Sequence, residues 1–433
     1  MPRSVPMRRR VFPGVSALIW LISGCQSAAR LTGTATSPGP MPVGIEVVFN
    51  HNENRRYRSP IDGEWRRGDD LEAFILKGIA EAKREILVAV QELSLPAVAR
   101  ALVERHREGL SVKVVLENTY SVPWSQQHPA DLVPHQRRRR NQLSQLGWGD
   151  AVAILQQGGV PLIDDTADGS KGSGLMHSKF IVFDGQVVIT GSANFTPSGL
   201  HGDPDDRRSR GNVNHLLRFE SAQLAALFSE EFQRLWGDGP GGATDSRFGI
   251  AKNSGGLKMV QVGNTPVGVL FAPHRRRDPN HGLELINTVL ARARRQVDLA
   301  LFVLSEQSVT DTLGKLQRRG VKIRLLADPG FANRSFSEVL DLLGTEMTDH
   351  RCKIEAGNKP LSEPLDGVGT PRLAPGDKLH HKLAVIDRRH VITGSFNWSP
   401  SAAHQNDETL LVIDSPRLAS HFSAEIDRLW RGA

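Results

Sequence analysis

The sequence predicts an α/β fold built twice within one chain. Three observations carry that prediction. First, a short motif recurs. His177-Ser178-Lys179 is followed by Asp184 and by Gly191-Ser192-Ala193-Asn194, and His380-His381-Lys382 by Asp387 and by Gly394-Ser395-Phe396-Asn397. His, Lys, Asp, Ser and Asn fall at identical offsets in the two copies. Second, the flanks recur: residues 78–90 match residues 289–301, and residues 228–236 match residues 422–430. Third, short apolar strands alternate with amphipathic helices, the pattern of a sheet covered on both faces.

A chain of 433 residues suits two domains of ordinary size. Taken in order, residues 1–24 read as an export signal, 25–42 as a flexible tether, 43–238 as the first half, 239–264 as a linker and 265–433 as the second half. Arg3, Arg8, Arg9 and Arg10 precede an apolar run over residues 11–22, too short for a comfortable membrane span. The run ends in Leu21-Ile22-Ser23-Gly24-Cys25, which resembles the lipobox of bacterial lipoproteins, with Cys25 as the lipidation site. The expected location is therefore the bacterial cell envelope, as an exported, membrane-anchored lipoprotein. Residues 26–42 are rich in Ser, Thr, Gly and Pro and show no hydrophobic period.

Within each half the pattern predicts a helix feeding a strand (residues 78–90; 289–301), then a second helix (96–109; 309–320). A short apolar strand follows (112–116; 321–326). The motif lies on a strand and its turn, residues 179–184 then 186–190, and 382–387 then 390–393. An amphipathic helix closes each half. Along a strand, side chains alternate between faces, so His177 and Lys179 share one face, as do His380 and Lys382. Ser178 and His381 point the other way, and His381 reads as a packed histidine. The Gly-rich stretch 168–174 and the Pro/Gly-dense stretch 356–379 read as flexible approaches that rim the site.

The apolar fraction, 39%, is that of a folded globular chain and excludes a disordered one. The formal net charge of +7 favours anionic partners, nucleic acid or an acidic membrane surface. Two Arg runs, 137–140 and 275–277, read either as a track for phosphates or as solvated loops. Cys352 is the second of two cysteines, so no intramolecular disulfide forms if Cys25 is acylated. It lies in a strand-like stretch (352–354) and reads as packing. No Cys/His cluster has zinc-ligand spacing, and no metal site or cofactor is expected.

The doubled pattern H-x-K-x-x-x-x-D with G-S-x-N resembles the phospholipase D superfamily, and the match extends over both halves. The resemblance implies two phospholipase D-like α/β sandwich halves related by a pseudo-twofold axis, with one active site at their interface. It also implies metal-independent attack on a phosphodiester through a phosphohistidine. The residue types suit that chemistry. One imidazole attacks phosphorus; the other protonates the leaving oxygen and then activates water. Lys179 and Lys382 supply positive charge, and Asn194 and Asn397 donate to phosphate oxygens. Ser192 and Ser395 support the site, while Asp184 and Asp387 hold turn geometry.

Family members commonly place an acidic residue downstream to orient each histidine. Glu408 fits that role in the second half, where it would support an imidazolium at His380. In the first half Asn214 stands in its place, leaving His177 to be supported by Asn214 or by Asp203, Asp205 or Asp206. Family precedent makes His177 the nucleophile and His380 the acid/base. The expected function is a phosphoric diester hydrolase acting on phospholipid headgroups. An exported nonspecific nuclease is the alternative. A phosphatidyl transferase such as cardiolipin synthase ranks lower, since such relatives usually carry membrane spans. A non-catalytic binding module also ranks lower, since it needs neither histidine. The expected partners are the substrate and a membrane reached through Cys25, and a duplicated site is expected to work as a monomer.

Overall fold

The structure is a computed structural model, and it describes residues 38–145, 147–170, 174–203 and 205–431. The export segment, Cys25 and the tether up to residue 37 lie outside the described residues.

The first half opens with strand β1 (Ile45–Phe49) and a small hairpin, β2 (Arg56–Arg58) and β3 (Trp65–Arg67). Helix α1 (Leu71–Glu81) follows, its first turn capped by Asp70, whose carboxylate accepts from the Ala73 N–H at 2.9 Å. Then come β4 (Glu85–Val90), α2 (Pro96–Arg107) with proline at its first position, and β5 (Ser111–Leu116). Helices α3 (Pro134–Gln145) and α4 (Ala151–Gln157) lead to the short β6 (Leu162–Asp164). The motif strands are β7 (Lys179–Phe183) and β8 (Val187–Gly191), followed by α5 (Pro197–Leu200), β9 (His215–Glu220) and the closing helix α6 (Ala222–Trp236).

The second half repeats the order. After β10 (Lys258–Val262) and β11 (Thr265–Ala272) come α7 (Gly282–Ala291), β12 (Gln296–Leu301), α8 (Gln307–Arg318) and β13 (Lys322–Ala327). Short helices α9 (Pro329–Ala332) and α10 (Glu338–Leu342) precede β14 (Val368–Gly369). The motif strands β15 (Lys382–Ile386) and β16 (His390–Gly394) then lead through α11 (Pro400–His404) to β17 (Glu408–Asp414) and α12 (Pro416–Arg431).

The sheets have matching orders, β1-β9-β8-β7-β4-β5-β6 and β10-β11-β17-β16-β15-β12-β13-β14, with β10 as an added edge. Each sheet is mixed. The β4–β5 and β12–β13 pairs are parallel, while each motif strand pairs antiparallel with both of its neighbours. The motif hairpins turn through two left-handed residues, Asp184 (φ 55°) with Gly185 (φ 64°), and Asp387 (φ 51°) with Arg388 (φ 55°). That backbone matches the twist of the flanking strands.

Alternation along the motif strands sorts the core into three layers. Ile181 and Phe183 face outward against α1 and α2, with Ile75, Ile79, Val98 and Leu102. Ala384 and Ile386 face outward in the same way against α7 and α8. Phe180, Val182, Leu383 and Val385 face inward. They share one central core with Phe228 and Phe232 of α6 and with Phe422 and Ile426 of α12. The halves are thus joined by a common hydrophobic layer, and the described residues form one compact unit.

Two expectations are corrected here. Cys352 is exposed and left-handed (φ 57°) in a turn rather than packed in a strand. The Asp349 carboxylate accepts from the Arg351 and Lys353 N–H groups at 2.8 and 2.9 Å, so a side-chain-capped turn outcompetes a three-residue apolar pattern. Arg137–Arg140 lie on helix α3 rather than in a loop.

Candidate active site

Each motif strand is prolonged across the interface. Before β7, Met176 forms a parallel bridge with Asp407 of the second half. There the His177 N–H donates to the Asp407 carbonyl at 2.9 Å, and the Asp407 N–H donates to the Leu175 carbonyl at 2.9 Å. The second copy does the same with Val213: the His380 N–H donates to its carbonyl at 3.1 Å, and its N–H donates to the Lys378 carbonyl at 2.7 Å. The residue following each bridge therefore meets the histidine of the opposite half.

That geometry overturns the expected pairing. Glu408 supports His177, not His380: Nδ1 of His177 donates to its carboxylate at 2.8 Å. Asn214 supports His380, whose Nδ1 lies 3.0 Å from the Asn214 amide oxygen and 3.1 Å from the Ser192 carbonyl. Asp203, Asp205 and Asp206 do not support His177. Asp203 accepts from Gln142 and Asp206 pairs with Arg208, while Asp205 is exposed. Ser192 and Ser395 hold the supporting residues: Ser192 Oγ donates to Asn214 at 2.8 Å and Ser395 Oγ to Glu408 at 2.5 Å.

Close packing places these serines. Gly191 and Gly394 run against the backbone of β9 and β17, and a Cβ there would sit 2.3 Å from the His215 carbonyl oxygen and 2.2 Å from that of Thr409. Only glycine lets the chain turn Ser192 and Asn194, or Ser395 and Asn397, into the site. Asp184 and Asp387 lie at the far ends of the motif strands. Asp184 accepts the N–H groups of Lys83, Arg84 and Glu85, and Asp387 those of Arg294, Arg295 and Gln296. Each ties its motif hairpin to the preceding helix-to-strand turn.

The site is buried and rich in positive charge. His177 and His380 are 5% and 8% exposed, and Lys179 and Lys382 at most 1%. Lys179 Nζ donates to the His177 carbonyl at 2.6 Å and to Gln91 Oε1 at 3.3 Å. Lys382 Nζ donates to the His380 carbonyl at 2.8 Å and sits 4.9 Å from the centre of the Phe302 ring. Burial lowers Lys179 to about 7, and burial plus repulsion from Lys179 holds Lys382 well below the ordinary lysine range. His177 falls to about 4 by burial, which its interaction with Glu408 only partly offsets. His380 lies well below its ordinary value through burial and the two lysines. A bound anion beside either lysine would favour its charged form. Asn194 Oδ1 and Asn397 Oδ1 are buried acceptors without a hydrogen-bond partner, and it is the amide nitrogens of these residues that can donate to an anion.

Gln91 and Phe302 were missed by the sequence reading. Gln91 Oε1 also accepts from Asn194 Nδ2 at 3.2 Å, and Phe302 packs on His380 with centroids 4.7 Å apart. Each directly follows a matched segment, 78–90 or 289–301, so the two residues hold the same position in the repeat, one polar and one aromatic. Part of the first Arg run serves structure: Arg139 pairs with Glu92 and lies 5.6 Å from the Tyr120 ring, and Arg140 donates to the Trp124 carbonyl. Arg137 and Arg138 are exposed, as are Arg275, Arg276 and Arg277. His381 packs inward, its Nδ1 3.0 Å from that of His215 and its Nε2 3.4 Å from Glu425.

The family described as "Cardiolipin synthase, PLD-like domain" matches residues 75–236 and 286–430. A protein named mitochondrial cardiolipin hydrolase from Chlamydomonas reinhardtii is 26% identical over 141 residues, 33% of this chain and 54% of that one. A protein named phospholipase D from Rickettsia bellii is 29% identical over 164 residues, 38% of this chain and 69% of that one. The chain thus spans only about half the length of the first of these. The crystal structure of a phosphatidylserine synthase from Haemophilus influenzae superposes with a TM-score of 0.53 at 14% identity, covering 90% of this chain and 86% of that one. At that identity the likeness concerns the fold.

Proposed function

The chain belongs to the phospholipase D-like family, and from that premise and the crossed site we propose that it hydrolyses phospholipid headgroup phosphodiesters through a phosphohistidine. Nδ1 of each ring is committed to its partner, so Nε2 is the atom left for chemistry. His177 Nε2 forms a bond to phosphorus as the bond to the headgroup oxygen breaks, and His380 gives that oxygen its proton. Water then attacks phosphorus, His380 takes the proton from it, and the bond to His177 breaks. Lys179, Lys382, Asn194 and Asn397 hold the phosphate oxygens.

One observation carries the choice of a lipid: an aromatic ramp on the His380 side. Phe302 packs on His380, Phe331 on Phe302 at 4.6 Å, and Phe336 on Phe331 at 6.4 Å, reaching the surface at 41% exposure. On the His177 side the neighbours are polar: Gln91 accepts from Lys179, and the adjoining Glu92 pairs with Arg139. Apolar neighbours beside His380 and polar ones beside His177 suit an amphiphile. A lipid anchor at Cys25 would hold that site at a membrane and raise the effective substrate concentration. Among the described residues, no helix is long and apolar enough to cross a membrane. Both histidines and both lysines come from one chain, so we expect a monomer to be active.

The nuclease reading keeps one specific support, exposed arginines: Arg138 on α3, and Arg275, Arg276 and Arg277. Both are tested by offering the purified protein phospholipid vesicles and plasmid DNA in parallel, with EDTA present and His177→Ala as control. Headgroup release that depends on His177 is the expected result. DNA nicking without it makes the protein a nuclease. Headgroup exchange with added alcohols at the expense of hydrolysis makes it a transferase.

A further inference from the structure

The two histidines share a sequence context and differ in support. His177 Nδ1 meets a carboxylate, Glu408, which is fully buried. His380 Nδ1 meets two neutral acceptors, the Asn214 amide oxygen and the Ser192 carbonyl. The Asn214 amide is locked in that orientation. Its Nδ2 donates to the Gly199 carbonyl at 2.9 Å, and its Oδ1 accepts from Ser192 Oγ at 2.8 Å. With both acceptors fixed, Nδ1 of His380 must carry the hydrogen. The charged and titratable groups that act most on this ring are Lys382 on its own strand, Lys179 and His177 from the first half, and Lys378 on the approach loop. Three of the four are lysines. Nothing at Nδ1 rewards a second proton on the ring, and the lysines oppose it.

We propose that Asn214 is a positioning residue that, by giving His380 a neutral partner where His177 has a carboxylate, keeps His380 a weak base and a strong acid in the reaction set out above. The inference rests on the hydrolytic reading above. A ring phosphorylated on Nε2 with hydrogen on Nδ1 is cationic, and Glu408 stabilises that cation. An imidazolium at His380 has no such partner. It forms when the phosphodiester anion offsets the lysines, and it is then a strong acid toward the leaving oxygen. An acid at position 214 would make His380 a better base and a poorer acid. The asparagine therefore favours the first half-reaction and sets a low upper pH limit on turnover.

The test is an NMR titration of the histidine ring carbons in wild type, Asn214→Asp and Asn214→Ala, without substrate, alongside the pH profile of kcat/KM for each. In wild type, His380 is expected to titrate below the ordinary 6.5. Asn214→Asp is expected to raise its midpoint by about 1 unit or more and to move the basic limb of kcat/KM the same way. Asn214→Ala is expected to lower kcat without raising that midpoint. A wild-type His380 midpoint at or above 6.5, or an Asn214→Asp variant that folds and leaves the midpoint unmoved, overturns the proposal. If Asn214→Asp does not fold, the wild-type titration decides alone. Wild-type protein inert on every phosphodiester sinks the hydrolytic reading instead, and the titration still reports on the inequality of the two rings. Phosphate label trapped on His380 rather than His177 reverses the roles and also overturns it.

Discussion

The Glu408 carboxylate accepts a hydrogen bond from Nδ1 of His177 across the interface, 231 residues away in sequence. Neither motif histidine takes its Nδ1 partner from its own half, so the site exists only when the halves are docked. Glu408→Gln keeps the shape and the hydrogen bond and removes the charge. The expected result is a loss in kcat on the order of 100-fold, the scale of removing one preorganised electrostatic stabiliser. KM should change far less, because the charge matters when the ring becomes cationic. Equal losses in kcat and in substrate binding would argue that Glu408 acts on the ground state.

Lys252 gives a stability prediction. It lies in the segment joining the halves and is buried with Glu231 of α6 and Asp407 of the bridge. Its Nζ pairs with Glu231, sits 2.9 Å from Asp407 and donates to the Ala272 carbonyl at 2.8 Å. Lys252→Met removes the cation from two buried carboxylates, leaving Glu231 with Arg234 at 3.6 Å and Asp407 with none among the described residues. The expected cost is about 3–5 kcal/mol, read from urea denaturation. Neutralising the partners as well, with Glu231→Gln and Asp407→Asn, should recover most of it. A triple variant no more stable than the single one would show that the ammonium acts through packing.

Anion binding should depend on pH through Lys179. Burial lowers it to about 7, so above that pH the free protein loses an ammonium that a bound phosphate needs. Affinity for a dialkyl phosphate, which stays a monoanion throughout, is therefore expected to weaken as pH rises past 7, by up to about tenfold per unit. Below 7 the ammonium is already present and Lys179 adds no further dependence. Calorimetric titration at several pH values checks the sign, and affinity that strengthens with pH contradicts it.

Much of this was legible in the sequence, because local rules carry it. Period-2 alternation placed His177 with Lys179 and turned His381 away, and the structure finds His381 inward beside Glu425. The repeated flanks matched α1–β4 with α7–β12 and placed the closing helices α6 and α12. The pairing of Glu408 was not legible. Sequence offset suggests its own half, and only the exchange of bridges at Met176–Asp407 and Val213–Leu379 sends it across. Helix α3 was missed because an arginine-rich run with few apolar residues shows no hydrophobic period. Cys352 was misplaced because a turn held by the Asp349 side chain leaves no trace in a hydrophobicity pattern.

The aromatic ramp makes the last prediction. Phe336 stands at its outer end, 41% exposed, and Phe331 joins it to Phe302 beside His380. If an acyl chain lies along the ramp, Phe336→Ser removes about 1 kcal/mol of apolar contact, since only part of the ring can be covered. That corresponds to a roughly fivefold fall in kcat/KM on phospholipid vesicles. A short-chain soluble analogue that ends before Phe336 should lose less. Phe331→Ser, nearer the reacting phosphate, should penalise both substrates. If bases of a nucleic acid occupy the ramp instead, the same variants cost about 1–3 kcal/mol per lost stack on single-stranded DNA and nothing on vesicles. The ratio of the two losses for Phe336→Ser therefore reports which class of phosphodiester the site was built to hold.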